Sequence, residues 1–276
     1  MKRAAVDQLT IQYRGDAWNI KNLRLKLALK YGILKEGWNP NPSIAFDIYA
    51  LSRGPAIGSP TLADFAMTQL MNSRVTSADM ATLHSWLRSE DGAKFLKQLR
   101  TQLLSFPSLE EATDGEIELL GNLIDRLLRK PGSNERVFPQ IGEAKVYKWL
   151  AAWAPDHIPM MDRAVRDALT GMEPNSAGIQ SAEMLRRFSR LLNQDLPVLK
   201  ALGTWLYDRL RDMGLQRAVP PARVLDSLLW CEWIAFDPQS GRFGILVHGD
   251  TNEYRLTPNG EEMERRLLRD LPNGAT

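Results

Sequence analysis

Apolar positions recur along most of the chain at the three- and four-residue spacing of a helix, and turn residues cut that rhythm into short segments. Ile117, Leu120, Leu123, Ile124, Leu127 and Leu128 hold the helical period without a lapse. Glu110, Glu111, Asp114 and Glu116 load acid onto the start of that helix, where its dipole favours negative charge. The same pattern predicts helices over residues 44–51, with Ser43 as the cap, and over 62–71 and 77–89. Another covers 91–104, entered through the capping step Ser89-Glu90-Asp91-Gly92. Residues 146–153 form an amphipathic helix that Pro155 stops. A helix runs from Asp162 to about Leu169, and two longer ones follow over 182–193 and 196–213, the second tolerating Pro197 in its first turn. The expected fold class is mainly α.

Both ends of the chain depart from this rhythm. Leu9-Thr10-Ile11-Gln12-Tyr13 alternates apolar and polar, and Leu23, Leu25, Leu27, Ala28 and Leu29 follow, flanked by Lys21, Arg24, Lys26 and Lys30. That run is read either as a half-buried helix with its bases in solvent or as a basic side laid along a backbone. In the tail a helix over 222–231 gives way to strands at 233–236, 242–247 and 253–256, and a charged helix over 261–269 closes the chain. Two units are expected: a helical core over 1–215 and a C-terminal helix, β-hairpin and helix over 216–276. The ending Tyr254-x-Leu256-Thr257-x-x-Gly260 looks like the close of a winged-helix hairpin.

Composition narrows the classes. A chain of 276 residues can bury a full core. Its net charge of only +2 argues against a general polyanion binder and leaves room for a local basic patch. The single cysteine, Cys231, excludes an internal disulfide and any cysteine cluster holding a metal or iron–sulfur group, so the expected protein is cytoplasmic and needs no cofactor or metal. His84 stands apart from other metal-ligating types and reads as a surface or core histidine. No apolar run approaches the ~20 residues that cross a bilayer. Residues 1–7 lack the apolar centre of a signal peptide, so no membrane partner is expected.

The chemistry concentrates between Phe138 and Arg166. Phe138-Pro139-Gln140-Ile141-Gly142 is a tight Pro/Gly turn that opens the 146–153 helix, and Met161-Asp162-Arg163-Ala164-Val165 places Asp162 at the N-cap of the next. The turn at 138–145 and the aspartate segment at 158–166 resemble the helix-hairpin-helix DNA glycosylase superfamily. In that family a Leu-Pro-Gly-Val-Gly hairpin and its helix precede a Val-Asp-Thr-His-Val segment. Gly142 and Asp162 lie 20 positions apart, a spacing that suits the family. The resemblance implies that the backbone of Gln140, Ile141 and Gly142 holds a DNA phosphate, with Arg136, Arg163 and Arg166 as further DNA contacts. It gives Asp162 the catalytic role of stabilising charge on the sugar as the base leaves. Tyr13, Trp18, Trp38 and Tyr49 are aromatics available to stack on an extruded base, or are core.

Three departures shape the expectation. Gln140 replaces the first hairpin glycine, and residues 129–137 are inserted between helix and hairpin. Arg129, Lys130 and Arg136 in that insertion either meet a phosphate or form a solvated loop. The position of the family's Schiff-base lysine is Ala144, and Lys145, one residue on, is rotated by roughly 100° about the helix. The resemblance therefore implies a monomeric, monofunctional glycosylase that excises a modified base from double-stranded DNA through an activated water, with Lys145 as the fallback nucleophile. Bacterial antiphage enzymes that remove hypermodified cytosines, such as glucosylated hydroxymethylcytosine, share the absence of a cluster. Repair of oxidised or alkylated purines is the alternative. A non-catalytic DNA-binding regulator, or a nucleotide- or protein-interaction module, remains if Asp162 only caps its helix and residues 139–142 only turn the chain.

Overall fold

The computed structural model describes residues 10–13, 16–31, 42–52, 58–71, 73–130, 132–133, 135–170, 179–235, 246–248 and 254–256. Strands β1 (Thr10–Tyr13) and β2 (Asp16–Asn19) pair antiparallel, Ile11 opposite Trp18, and lead directly into α1 (Ile20–Tyr31). Then come α2 (Pro42–Ser52), α3 (Leu62–Met67) with a 3-10 turn at Thr68–Met71, α4 (Ser77–Leu87), α5 (Glu90–Leu103) and α6 (Asp114–Leu128). The second half holds α7 (Glu143–Trp153), α8 (Arg163–Thr170), α9 (Ser181–Gln194), α10 (Leu196–Leu210) and α11 (Pro221–Ala235). Strands β3 (Leu246–His248) and β4 (Tyr254–Leu256) pair antiparallel, Val247 opposite Arg255. The described chain is thus mainly helical. None of its described helices is long and apolar enough to cross a membrane.

Local side chains fix where the helices begin. Thr61 with Asp64, Thr76 with Asp79, and Thr113 with Glu116 close reciprocal capping boxes on α3, α4 and α6, each satisfying two otherwise unpaired first-turn N–H groups. Ser89 caps α5 by accepting from Gly92 N at 3.0 Å, as the sequence step predicts. Ser43 is not a cap: Pro42 opens α2, where its fixed φ suits a helix start and its missing N–H costs nothing, and Ser43 lies buried inside the helix.

One apolar cluster joins the helices. Trp149 and Tyr147 of α7, Phe65 of α3, Phe188 of α9 and Leu27 of α1 are fully buried in it. Helix α11 contributes Val224, Leu225, Leu228 and Leu229 to the same cluster and packs on α8, α1 and α10. Trp233, Ile234 and Ala235, expected as strand, continue α11 instead. Lys26 and Lys30 of α1, expected in solvent, are only 4% and 3% exposed, because α11 covers the face of α1 that carries them. A smaller apolar group, Phe46, Ala50, Ala151, Ala152 and Met160, joins α2 and α7 to the segment before α8.

Helices α6 and α9 touch through Gly121, where any Cβ would run into the Ala182 backbone. Gly121→Val should therefore destabilise the fold by about 1–3 kcal/mol through overpacking. Gly115→Ala, in open space in the first turn of α6, should be neutral or stabilising by up to ~1 kcal/mol. Urea denaturation of both variants checks the contrast.

Candidate active site

Two buried side chains anchor the turn before α7. Phe138 packs edge-on against Trp86 with ring centroids 5.2 Å apart, and Ile141 is 3% exposed. The Ile141 N–H closes the turn onto the Phe138 carbonyl at 3.2 Å, which leaves Pro139 and Gln140 at an exposed tip. Gly142 is the N-cap of α7 with φ −69° and ψ 156°, a conformation open to any residue. A Cβ built there would meet nothing within 4 Å, so a larger side chain has room at this position. Among the described residues no acceptor faces the N–H groups of Gly142, Glu143 or Ala144, the donors that a helix start turns toward an anion.

Helix α7 ends at Trp153, and the chain returns through a buried run, Ala154 and Ile158 to Met161, before reaching Asp162. Asp162 divides its carboxylate between two tasks. Oδ1 accepts from Val165 N at 3.1 Å and caps α8, and Oδ2 lies 3.9 Å from Lys148 Nζ. Lys148 donates to the Met71 carbonyl at 2.7 Å, which fixes its ammonium group from the other side. The Lys148 side chain is 10% exposed and that of Asp162 18%, so the pair is sheltered and the carboxylate still reaches the surface. Burial lowers the Lys148 pKa; the Asp162 charge works against that shift, and Arg223 adds to it.

Beneath this pair lies a buried charge network. Arg223 Nε donates to Asp47 Oδ1 at 2.7 Å, and Arg223 Nη1 pairs with Asp226 one turn along α11. Tyr31 donates to Asp47 Oδ2 at 2.6 Å, and Ser227 donates to Asp226 Oδ1 at 3.3 Å. Asp226 Oδ2 accepts from Met160 N at 3.0 Å, two residues before Asp162. Burial works against the Arg223 charge, but Asp226 and Asp47 outweigh it and raise its pKa. Burial raises the Asp226 carboxyl despite Arg223 and Lys30, and burial together with Asp47 pushes the Tyr31 phenol well up. Lys30 Nζ sits 4.1 Å from the centroid of the Trp230 ring. Its pKa falls to about 8, chiefly through burial and secondarily through Arg223, against the attraction of Asp226 and Asp162.

The residues singled out in the sequence scatter more widely. Lys145 turns onto α4 and pairs with the buried Asp79 at 2.7 Å, away from Asp162. Arg166 turns inward: it is buried, pairs with Glu143 at the start of α7, and donates to the Ile179 carbonyl at 3.1 Å, so it holds α8 to α7 rather than facing a strand. Arg163 projects outward with its side chain 90% exposed, 3.4 Å from Asp167. Gln140 and Arg136 are exposed. Tyr49 is half-buried, its hydroxyl donating to Asp64 at 3.0 Å. Trp38 lies outside the described residues, as do the side chains of Tyr13 and Trp18. Asp162 lines neither of two clefts that the described residues form. One of about 400 Å³ adjoins Glu143 and Arg129, and one of about 430 Å³ runs along α5 past Arg100 and Leu104.

Lys148 is the functional candidate that motif reading passed over. It stands one helical turn after Ala144, so both share a face of α7, and that periodicity was the available signal. Lys30, Asp47, Arg223 and Asp226 carried no local signal, since Arg223 and its partner Asp47 are 176 positions apart. Among the described residues no group of three or more His, Cys, Asp or Glu could hold a metal ion. Comparisons with known protein families, curated proteins and solved structures returned no match.

The depressed Lys30 pKa has a stability consequence. Between about pH 8 and the ordinary lysine value the unfolded chain binds a proton that the folded chain does not, so stability rises with pH through that window and is lost as pH falls through about 8. Urea titrations from pH 7 to pH 10 should show the wild type gaining on Lys30→Met by on the order of 2 kcal/mol as pH rises. Parallel curves would contradict the burial of this amine.

Proposed function

We propose that the chain is a DNA glycosylase of the helix-hairpin-helix kind, acting as a monomer in the cytoplasm on double-stranded DNA that carries a modified base. One observation carries the reading: Asp162, at the spacing the motif requires from Gly142, caps α8 through one oxygen while the other faces a sheltered edge beside Lys148. The order α6, turn, α7, capped α8 supports it, as does the start of α7, where among the described residues no acceptor takes the N–H groups that a phosphate would use.

The chemistry follows from charge. As the bond from C1′ to the base nitrogen breaks, its electron pair leaves with the base, which is protonated, and positive charge spreads over the sugar ring. A carboxylate fixed by a helix N–H stabilises that charge without having to reorganise. Water then adds to C1′, loses its proton, and leaves an abasic sugar. The target nucleotide must first leave the stack, at a cost of a few kcal/mol that a modified base reduces. In this reading the antiparallel β3–β4 pair belongs to a wing-like C-terminal unit that buttresses the core or touches DNA.

A second reading has its own observation. Lys148, and not Lys145, stands within reach of Asp162, and its proton affinity is lowered by burial. An unprotonated amine there can attack C1′, displace the base and form an imine that leads to strand cleavage.

The assay uses duplexes carrying glucosylated hydroxymethylcytosine, oxidised purines or alkylated purines. Wild type is expected to leave alkali-labile breaks with one of them and to release the free base, seen by mass spectrometry. Asp162→Asn should reduce the rate by at least ~100-fold. Borohydride treatment decides the route: no trapped adduct means water attacks, whereas an adduct lost in Lys148→Gln and kept in Lys145→Gln means the lysine does. DNA binding without release of any base would leave a non-catalytic DNA-binding protein.

A further inference from the structure

Between α6 and the turn, the chain doubles back on itself. Lys130 N donates to the Glu135 carbonyl at 2.8 Å, Val137 N donates to the Leu128 carbonyl at 3.2 Å, and between these bonds Arg129 stands opposite Arg136 as an antiparallel pair. A pair flanked in this way is the non-hydrogen-bonded kind, with Cα atoms about 4.5 Å apart and both side chains on one face. Two arginine side chains thus leave the backbone side by side, both residues are exposed, and among the described residues neither has a carboxylate partner. Like charges in that relation repel.

The nearby acids are already engaged. Glu135 pairs with Lys130 at 2.7 Å, both oxygens of Asp125 accept from Ser181 N at 3.1 Å, and Glu143 pairs with Arg166. Arg126, one turn before Arg129, lies 5.9 Å from the centre of the Phe95 ring and adds a third guanidinium. Arg126, Arg129 and Lys130 line the cleft of about 400 Å³ that reaches Glu143 in the first turn of α7. Cationic side chains therefore run from the doubled-back arm along the cleft toward the helix start, where the carboxylates of Asp125 and Glu143 share the lining.

We propose that Arg129 and Arg136 form a clamp on the phosphodiester backbone of duplex DNA, with the cleft carrying that backbone toward α7. An anion lodged between the two guanidinium groups turns their repulsion into attraction, and each planar fork matches phosphate oxygens. This rests on the reading of the chain as a DNA enzyme. It adds a grip outside the Phe138–Gly142 turn, in the stretch where the chain departs from the motif.

The test is fluorescence anisotropy of the full chain on a labelled, undamaged duplex across a salt series, which requires no base excision. Arg129→Gln/Arg136→Gln should weaken binding at least ~10-fold near physiological salt and flatten the slope of log affinity against log salt by about two, one per phosphate contact. Arg129→Lys/Arg136→Lys should keep the wild-type slope, and unchanged melting of both variants shows that folding is intact. Unchanged affinity and slope in the glutamine variant would overturn the clamp and leave the glycosylase reading standing. A wild type that does not bind duplex would overturn both. A parallel titration with ATP and with inorganic phosphate separates the sources of phosphate: loss of ATP or phosphate binding in the glutamine variant, with duplex binding intact, would overturn the proposal in favour of a small-anion site.

Discussion

Arg223 is the constraint on which the proposed site depends. Its guanidinium, 3% exposed, holds Asp47 of α2 and Asp226 of its own helix, and Asp226 in turn takes the Met160 N–H from the segment that delivers Asp162. A buried charge left without its partner costs about 3–5 kcal/mol, so removing any one member strands the others. The network therefore specifies one arrangement of α2, α11 and the α7–α8 connection. Among the described residues Arg223 Nη2 finds no hydrogen-bond partner, so the network leaves one of its donors unsatisfied there.

Position and chemistry are linked through short steps. Asp226 sets the backbone at Met160, Met160 packs with Phe46, Ala50, Ala151 and Ala152, and two residues later Asp162 begins α8. Arg166, one turn into α8, reaches back to Glu143 at the start of α7. The helix start open to an anion and the capped carboxylate are thus tied to each other as well as to the core. A site held from two directions suits a reaction in which charge develops at a fixed point and the protein must not reorganise to meet it.

The parts visible in the sequence are those governed by local interactions. Helix α6 was legible from its apolar period and from the acid at its start, and Asp162 as a cap followed from the residues around it. What depended on distant partners was not legible. Lys26 and Lys30 sit among leucines in a pattern that normally marks a solvated face, and only α11, about two hundred positions later, buries them. Arg166 read as a strand-facing arginine because nothing nearby in sequence revealed Glu143 as its partner. Trp233 and Ile234 carry strand propensity, yet the stripe Leu225, Leu228 and Leu229 had already committed α11 to the core, and packing overrode propensity.

The central claim is that the Asp162 carboxylate meets positive charge on a sugar. It is tested most directly by comparing affinities for two duplexes that differ only at one site, one carrying a cationic pyrrolidine in place of the sugar and the other a neutral tetrahydrofuran. A protein complementary to the transition state binds the cation more tightly. The account predicts a preference of at least ~100-fold for the pyrrolidine duplex in the wild type, falling to near unity in Asp162→Asn. Equal affinity of the wild type for the two duplexes, or a preference that survives in Asp162→Asn, would contradict it.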